Sequence, residues 1–292
     1  MAWGKKNWFI LLAVVGAVFF VVVFAAVLSL SLSEGDVDIS YGSGVGLVEV
    51  RDEIVTSDDA VRQLNKYRDN SSVKAIVVRV ESPGGGVAAS QEIHQAILRA
   101  GEKKPVVCSM GEVAASGGYY VACGCDSIVA NAGTLTGSIG VLMEYPVIDG
   151  LIRKIGVRFE VIKAGKNKDI GSIARPLTPG ERALLQAMLD DVHQQFIEAV
   201  YESRRIPMET LRKYTDGRVF SGRQALELGL VDRIGTLDDA IDLAGAMGGI
   251  KGTPRIIRER KHKRSLYDLL FDVTETASQL KRNGVELKYL MR

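Results

Sequence analysis

Strand-like and helix-like segments alternate along most of this chain, and that alternation limits the folds open to it. Residues 73–80 form a β-branched run typical of a buried strand, and a helix-like segment follows at 87–100. Because alternating strands and helices form βαβ units, the pattern predicts an α/β fold of repeated βα units around a parallel sheet. Further strands are predicted at 46–55, 105–110, 127–130 and 158–163, and further helices at 57–68 and from Ser116.

An uncharged, mainly apolar run precedes this alternation. It covers residues 8–33, and about 20 apolar residues suffice to span a bilayer. Lys5 and Lys6 come before the run and Glu34 directly after it. By the positive-inside rule, residues 1–7 lie in the cytoplasm, 8–33 form a single transmembrane anchor, and the rest of the chain lies outside. A cleaved signal peptide is the alternative, although its apolar region is usually only about 7–15 residues long.

The segments after the anchor divide by composition. Residues 34–45 are rich in Gly and Ser and indicate a tether, 46–250 form the predicted globular domain, and 251–292 form a basic, amphipathic extension. The charge run of this extension indicates a solvated surface, with a lid or a membrane-surface role as the alternatives.

A helix should begin at Thr178-Pro179-Gly180-Glu181, which combines an N-cap, a proline at the first helical position and a capping box, and should run to about Arg204.

Composition argues against several functional classes. The formal net charge of +2 gives no reason to expect nucleic acid as a partner. Cys108, Cys123 and Cys125 are odd in number and lie in apolar surroundings, so small buried residues are a better interpretation than a disulfide framework. Neither His nor Cys has metal-ligand spacing, and we expect no metal and no cofactor.

Ser116 is the strongest candidate for a nucleophile. It stands where a predicted strand gives way to a helix, and Gly117 and Gly118 follow it. Glycines there leave backbone N–H groups unshielded, an arrangement that acyl-transfer chemistry requires. The triplet Gly84–Gly86 is predicted to form a turn between a strand and a helix, so its amides could contribute to the same oxyanion site. Tight packing is the alternative interpretation of Ser-Gly-Gly. For Gly84–Gly86 the alternative is a phosphate-binding loop, although the lysine of a Walker motif is absent.

The partner base is less clear from the residues alone. His94, His193 and His262 do not lie in site-like contexts, although His94 could approach Ser116 if their helices pack together. The segment from Lys163 to Gly171 supplies three lysines, at 163, 166 and 168, and a lysine acts as a base once it is neutral. The spacing does not select one of them, and three solvated lysines are the alternative.

Four motifs in this order identify a resemblance. They are Ser82-Pro83-Gly84-Gly85-Gly86, Ala115-Ser116-Gly117-Gly118-Tyr119-Tyr120, Thr136-Gly137-Ser138-Ile139-Gly140-Val141 and Lys168-Asp169-Ile170. Together they resemble the signal peptide peptidase A family, membrane-anchored Ser/Lys proteases of the Clp protease/crotonase superfamily. The resemblance spans residues 46–245. One departure is Glu81, since the family often has Asn before Ser-Pro-Gly.

The resemblance implies roles for individual residues. Ser116 matches the nucleophile, Lys168 the general base and Ser138 the hydroxyl that orients the lysine, while Gly85 and Gly117 match the oxyanion hole. It further implies a membrane-bound homo-oligomer in which Ser and Lys come from neighbouring subunits, with peptides as partners. The expected function is degradation of remnant signal peptides, with small or aliphatic residues at the cleavage position. A crotonase-type acyl-CoA enzyme and a non-catalytic membrane scaffold are the alternatives.

Overall fold

A computed structural model describes residues 43–259 and 287–290, together with 16, 18–22 and 24. The chain divides into two units, Met1–Gly42 and Ser43–Arg292, and this boundary falls within the predicted tether. In the first unit the described residues are helical, while most of the predicted anchor at 8–33 lies outside the described residues. Among the described parts of the chain, none of the helices has the length and apolar character to cross a membrane.

The second unit is built on strands that fall into two sheets. In chain order they are β1 (Gly44–Arg51), β2 (Val73–Ser82), β3 (Gly84–Gly86), β4 (Val106–Ala115), β5 (Ser127–Ala130), β6 (Leu135–Gly137), β7 (Leu142–Met143), β8 (Val219–Ser221), β9 (Arg233–Ile234), β10 (Arg255–Arg258) and β11 (Leu287–Leu290). The larger sheet has the order β10-β1-β2-β4-β5-β9, and all its neighbours on that path are parallel. The predicted α/β fold with a largely parallel sheet is therefore confirmed.

Helices connect these strands as the alternation predicts. They are α1 (Asp58–Asp69), α2 (Val87–Gly101), α3 (Gly117–Ala122), α4 (Asp149–Lys154), α5 (Pro179–Arg204), α6 (Met208–Leu211), α7 (Gly222–Glu227) and α8 (Leu237–Met247). The predicted start of α5 is confirmed in detail, since Thr178 and Glu181 form a capping box and Pro179 occupies the first turn. That cap satisfies backbone N–H groups that a helix start leaves without partners.

Both faces of the larger sheet are covered, which explains the apolar run from Ala75 to Val78 in β2. Along β2, Ala75 and Val77 pack on one face with residues of α8, such as Ile241. Ile76 and Val78 point to the other face, into the core formed with α1, α2 and α5. Because successive side chains of a strand alternate between faces, a strand buried on both sides must be apolar throughout.

Three details differ from the expectations. Residues 158–163 are not a strand: they pair with none of the described strands, and Phe159 is 60% and Ile162 97% exposed. The triplet Gly84–Gly86 is a short strand and not a turn, in a second sheet with the order β3-β11-β7 whose neighbours are antiparallel. In the larger sheet, β6 pairs in parallel with the end of β4, while β8 runs antiparallel to β6.

The predicted C-terminal extension contributes to both sheets. β10 lies at the edge of the larger sheet beside β1, and Glu259 just beyond it forms ion pairs with Arg62 at 2.7 Å and Lys66 at 3.1 Å. β11 lies between β3 and β7 of the second sheet. Residues 251–292 are therefore not only a solvated surface, since two of their segments complete the sheets.

The three cysteines are free and buried, as their surroundings predict. Burial raises the pKa of Cys123 to about 12, so its thiol stays protonated and unreactive.

Candidate active site

Ser116 occupies a strained turn between β4 and α3. Its backbone has φ of 53° and ψ of −117°, and it is the N-cap residue of α3. A positive φ is unfavourable for a residue with a side chain, and such strain persists where the surrounding structure enforces it. The residue is 1% exposed, and its Oγ has no hydrogen-bond partner in the described part of the chain. A buried polar group without a partner is unusual and requires an explanation, and a strand-to-helix turn is a position that nucleophilic serines occupy in other hydrolases.

The pairing of β6 with β4 brings Ser138 next to Ser116. Ala115 is in register with Gly137, so the two serines directly follow paired residues. The Ser116 N–H donates to the Gly137 carbonyl at 2.8 Å, and the Ser138 N–H donates to the Arg218 carbonyl at 2.8 Å. Ser138 also has a positive φ, of 51°. The two predicted hydroxyl residues therefore leave neighbouring strands at the same edge of the sheet.

The Ser-Pro-Gly-Gly-Gly motif forms the opposite wall of the site. Ser82 is fully buried, and its Oγ accepts from the Gly84 N–H at 3.1 Å. Ile54 holds β3 on one side, donating to the Gly84 carbonyl at 2.8 Å and accepting from the Gly86 N–H at 2.7 Å. Because consecutive residues of a strand direct their polar groups to opposite sides, the amide of Gly85 faces β11.

Gly84 and Gly117 face each other across a narrow gap that contains one carbonyl oxygen. A Cβ at Gly84, which has a φ of 108°, would lie 2.7 Å from the Gly117 nitrogen. The same Cβ would lie 1.9 Å from the carbonyl oxygen of Tyr289, and one at Gly117 would lie 3.1 Å from that oxygen. Neither position therefore tolerates a side chain. The gap beside Ser116 holds a peptide carbonyl oxygen, the group that an oxyanion hole must bind.

Of the three lysines in the loop from Lys163 to Gly171, one is engaged elsewhere. Lys163 forms an ion pair with Asp169. In the described residues, Lys166 and Lys168 have neither an ion pair nor a side-chain hydrogen bond, and both are exposed. The structure therefore does not bring Lys168 to Ser116 within one chain.

The loop is held in position by a charged network at the start of α5. Arg175 donates to Asp169 at 3.0 Å and to the buried Glu181 at 2.5 Å. The Arg175 guanidinium lowers the pKa of Glu181 to about 2, helped by the Thr178 N–H. The carboxylates of Asp169 and Glu181 therefore remain charged at neutral pH. Their ion pairs with Arg175 hold Asp169, the residue next to Lys168, in place.

The histidines do not complete a triad. Helices α2 and α3 do pack together, but the His94 ring lies against Tyr120, with 4.9 Å between ring centroids. Burial lowers the pKa of His94 to about 4, so the ring is neutral at physiological pH. His193 is better placed than the sequence indicates, because its side chain lines a cleft that also contains Ser138, and its Nε2 has no hydrogen-bond partner among the described residues.

That cleft is a space of about 990 Å³ next to Ser138 and Leu290. Its walls come from β7, the first half of α5 and the segment before β8. The charged residues in its lining are Arg182, Asp190, Asp216 and Arg218. Lys168 is not among its lining residues.

Comparison with known proteins identifies the family. Residues 99–250 match peptidase family S49, a segment that contains Ser116, Ser138 and Lys168. The chain belongs to peptidase family S49. A candidate protease of Methanocaldococcus jannaschii is 32% identical over 282 residues, which cover 91% of each chain. A candidate protease of Synechocystis is 46% identical over 191 residues, or 65% of this chain and 69% of that one.

Two further similarities are more partial. The chloroplastic serine protease SPPA of Arabidopsis thaliana is 37% identical over 191 residues, which cover 65% of this chain and 28% of that protein. A solved structure of a ClpP1 mutant from Listeria monocytogenes is 18% identical, with a TM-score of 0.47 over 67% of this chain and 94% of that one. The S49 family and its protease relatives make this chain a serine peptidase, which disfavours the acyl-CoA enzyme and the scaffold.

Sequence reasoning missed an aromatic cluster in the core of this S49 peptidase. Tyr120 and Phe196 lie edge to face with 5.1 Å between centroids, and both contact the Tyr289 ring. The apolar spacing along α5 predicted that Phe196 is buried, but a stripe of this kind does not show which residues it packs against.

Glu81, the departure from the family pattern, accepts a hydrogen bond from Arg51 at 3.2 Å, which offsets its charge.

His94 should make stability depend on pH. Its neutral form is favoured in the fold, so the free energy of unfolding should fall as pH decreases from 6.5 towards about 4. Between about pH 7.5 and about pH 5, this group should account for a loss of roughly 2 kcal/mol. Urea unfolding of the wild type and His94→Gln at both pH values measures the difference. Equal losses in the two proteins would show that His94 is protonated as easily in the fold as in the unfolded chain.

Proposed function

We propose that this S49 peptidase is a membrane-anchored serine endopeptidase that uses a Ser116/Lys168 dyad through an acyl-enzyme. The observation that carries the proposal is the buried, unpartnered Oγ of Ser116 beside a gap that holds a peptide carbonyl oxygen. A nucleophile and an oxyanion site must converge on one carbonyl group for acyl transfer, and these two features do. The proposed oxyanion donors are the N–H groups of Gly85 and Gly117.

The proposed reaction has two steps. In the first, the neutral Lys168 amine takes the proton of Ser116 Oγ as that oxygen attacks the substrate carbonyl carbon. The C–N bond then breaks, and the lysine gives its proton to the departing nitrogen. In the second, the lysine deprotonates a water that attacks the ester, and the proton returns to Ser116 Oγ. Ser138 would accept a hydrogen bond from the lysine amine and orient it.

We infer that Lys168 acts on Ser116 of a neighbouring copy of the chain. The lysine is exposed, and the cleft beside Ser138 is open. The segment around Lys168 also exposes apolar side chains, among them Phe159 at 60% and Ile162 at 97%, and Leu184 near the start of α5 is 53% exposed. Contiguous exposed apolar surface is a common mark of an interface. A homo-oligomer would cover this surface and complete each site.

The proposed substrates are remnant signal peptides and other short apolar peptides in or near the membrane. Relatives include a candidate signal peptide peptidase SppA of Enterococcus faecium, 35% identical over 181 residues. The apolar run at 8–33 would hold the enzyme at the membrane where such peptides remain. The short strands β3 and β7 near the site suit an extended peptide, which would bind beside them through main-chain hydrogen bonds.

Substitution of either dyad residue should abolish cleavage without unfolding the protein. Ser116→Ala removes the nucleophile and Lys168→Ala the base, and each should reduce kcat by at least about a thousandfold. The double variant should be no worse, because residues that act as one unit are not additive. Hydrolysis of a synthetic signal peptide and labelling of Ser116 by a fluorophosphonate measure these effects.

Lys166→Ala is the matched control, since Lys166 lies in the same loop and is likewise exposed. It should retain nearly full activity. Ser138→Ala should lower kcat more than it raises KM, because Ser138 only orients the base. Activity in Lys168→Ala together with inactivity in Lys166→Ala would identify the other lysine as the base.

Mixing two inactive variants tests the shared site. In oligomers formed from equal amounts of Ser116→Ala and Lys168→Ala, about a quarter of the sites should combine an intact serine with an intact lysine from the neighbour. Activity should therefore recover to about that fraction after co-refolding or co-expression. If Ser116 and Lys168 of each site came from one chain, mixing the two variants would restore no activity. The wild-type protein, treated in the same way, would remain active.

The membrane topology of the protein tests the proposed anchor at 8–33. A reporter that works only outside the cytoplasm should be active when fused after Ala60, and protease added to spheroplasts should digest the peptidase domain. Deletion of 8–33 should release the protein from the membrane fraction. A domain protected from external protease in intact spheroplasts, yet digested after lysis, would show that the orientation is reversed.

A further inference from the structure

The loop that carries Lys168 is joined to the rest of the chain by one arginine. Among the described residues outside 158–172, only Arg175 forms a hydrogen bond or an ion pair with residues 158–171. Its Nε donates to Asp169 Oδ2 at 3.0 Å, and its Nη2 donates to the Asp169 carbonyl oxygen at 3.4 Å. The position of Asp169, and with it that of the next residue, Lys168, therefore depends on Arg175.

The other end of the Arg175 guanidinium is bound to a fixed carboxylate. Its Nη1 and Nη2 donate to the two carboxylate oxygens of Glu181, at 2.8 Å and 2.5 Å. The N–H and Oγ1 of Thr178 donate to the same carboxylate, at 2.8 Å and 3.0 Å. The Glu181 side chain is 7% exposed. Because a two-pronged bond from arginine to a carboxylate is strong and directional, Glu181 holds Arg175 in a defined orientation.

A general base must be placed accurately, and Lys168 lacks contacts of its own that would do so. Its four-carbon stem is flexible, and its amine has no bonding partner among the described residues. In catalysis, a misplacement of about 1 Å can lower the rate roughly a hundredfold. Contacts between copies of the chain would orient whole subunits, including α5. Arg175 would pass this orientation from α5 to the loop of Lys168.

We propose that Arg175 is a positioning residue for the general base Lys168. It holds the loop of that lysine on α5, through Asp169 on one side and Glu181 on the other. This inference rests on the proposed function. Arg175 takes no part in proton transfer and acts only through the lysine of its own chain. It therefore serves the neighbouring site, which that lysine completes, and not the site of its own Ser116.

Steady-state kinetics of peptide cleavage test this role. Arg175→Met and Asp169→Ala both break the link to the loop, so each should lower kcat about tenfold or more and leave KM within about twofold of wild type. The double variant should be no worse than either single variant, because both substitutions remove the same link. Asp169→Asn keeps an oxygen that can accept from Arg175, and it should retain most of the activity.

Two controls separate positioning from a loss of stability. Asp169→Ala leaves the pair of Arg175 with Glu181 intact, so its Tm should stay close to that of the wild type even if the Tm of Arg175→Met falls. Arg153→Met is the matched variant, since Arg153 lines the same surface cavity as Arg175 and pairs with Asp149 at 2.6 Å. It should keep the wild-type kcat, because an exposed ion pair contributes little. An unchanged kcat in Asp169→Ala, or a rise in KM in place of a fall in kcat, would overturn the proposal.

Mixed oligomers show through which residue Arg175 acts. In equal mixtures of Arg175→Met and Ser116→Ala, about a quarter of the sites should combine an intact serine with a correctly placed lysine, so activity should rise to about that fraction of wild type. Arg175→Met mixed with Lys168→Ala should gain no activity, because neither chain supplies such a lysine. Recovery with Lys168→Ala and none with Ser116→Ala would show that Arg175 acts on the serine side of the site, which contradicts the proposal.

Failure of the proposed function would give a different result. If Lys168→Ala stays active, the lysine is not the base, and both the proposed function and this inference are wrong. If Lys168→Ala is inactive while Arg175→Met and Asp169→Ala cleave as fast as the wild type, only this inference is wrong. If Ser116→Ala and Lys168→Ala do not complement each other, the shared site is wrong, and the kcat and KM of the single variants still decide the role of Arg175.

Discussion

The pairing of β6 with the end of β4 is the constraint on which the site depends. It aligns Ala115 with Gly137, so that the chain leaves both strands at the same level through a serine with positive φ. The hydrogen bond from the Ser116 N–H to the Gly137 carbonyl closes this arrangement. If the register shifted by one residue, the side chains would exchange faces, and Ser116 would no longer lie beside the glycines of β3.

The glycines of the site follow from the same close packing. Gly118 could not carry a side chain because its Cβ would lie 2.8 Å from the Ser82 carbonyl oxygen, and Gly117 is limited in the same way by Ser90 Oγ at 2.6 Å. Close packing on both sides therefore surrounds the two residues after Ser116. If their amides form the proposed oxyanion site, this packing would make it effective, because rigid donors need not reorganise during the reaction.

Local features of the site could be predicted from the sequence, and long-range features could not. The capping box of α5 and the position of Ser116 before a helix depend on residues within four positions of each other, so their chemistry can be recognised directly. The antiparallel sheet joins Gly84–Gly86 to residues some two hundred positions later, and neither segment has a distinctive strand pattern. The prediction of a strand at 158–163 was wrong for the opposite reason. These residues alternate between polar and apolar side chains as a strand does, but the described chain provides no pairing partner for them.

β11 joins a late part of the chain to the wall beside Ser116. It pairs with β3 and β7, whose residues precede it by about 200 and about 140 positions. Contacts between such distant residues close a long loop, and the entropy of that closure must be offset before the contacts stabilise the fold. During synthesis, the wall formed by β3 would therefore stay incomplete until residues 287–290 have left the ribosome.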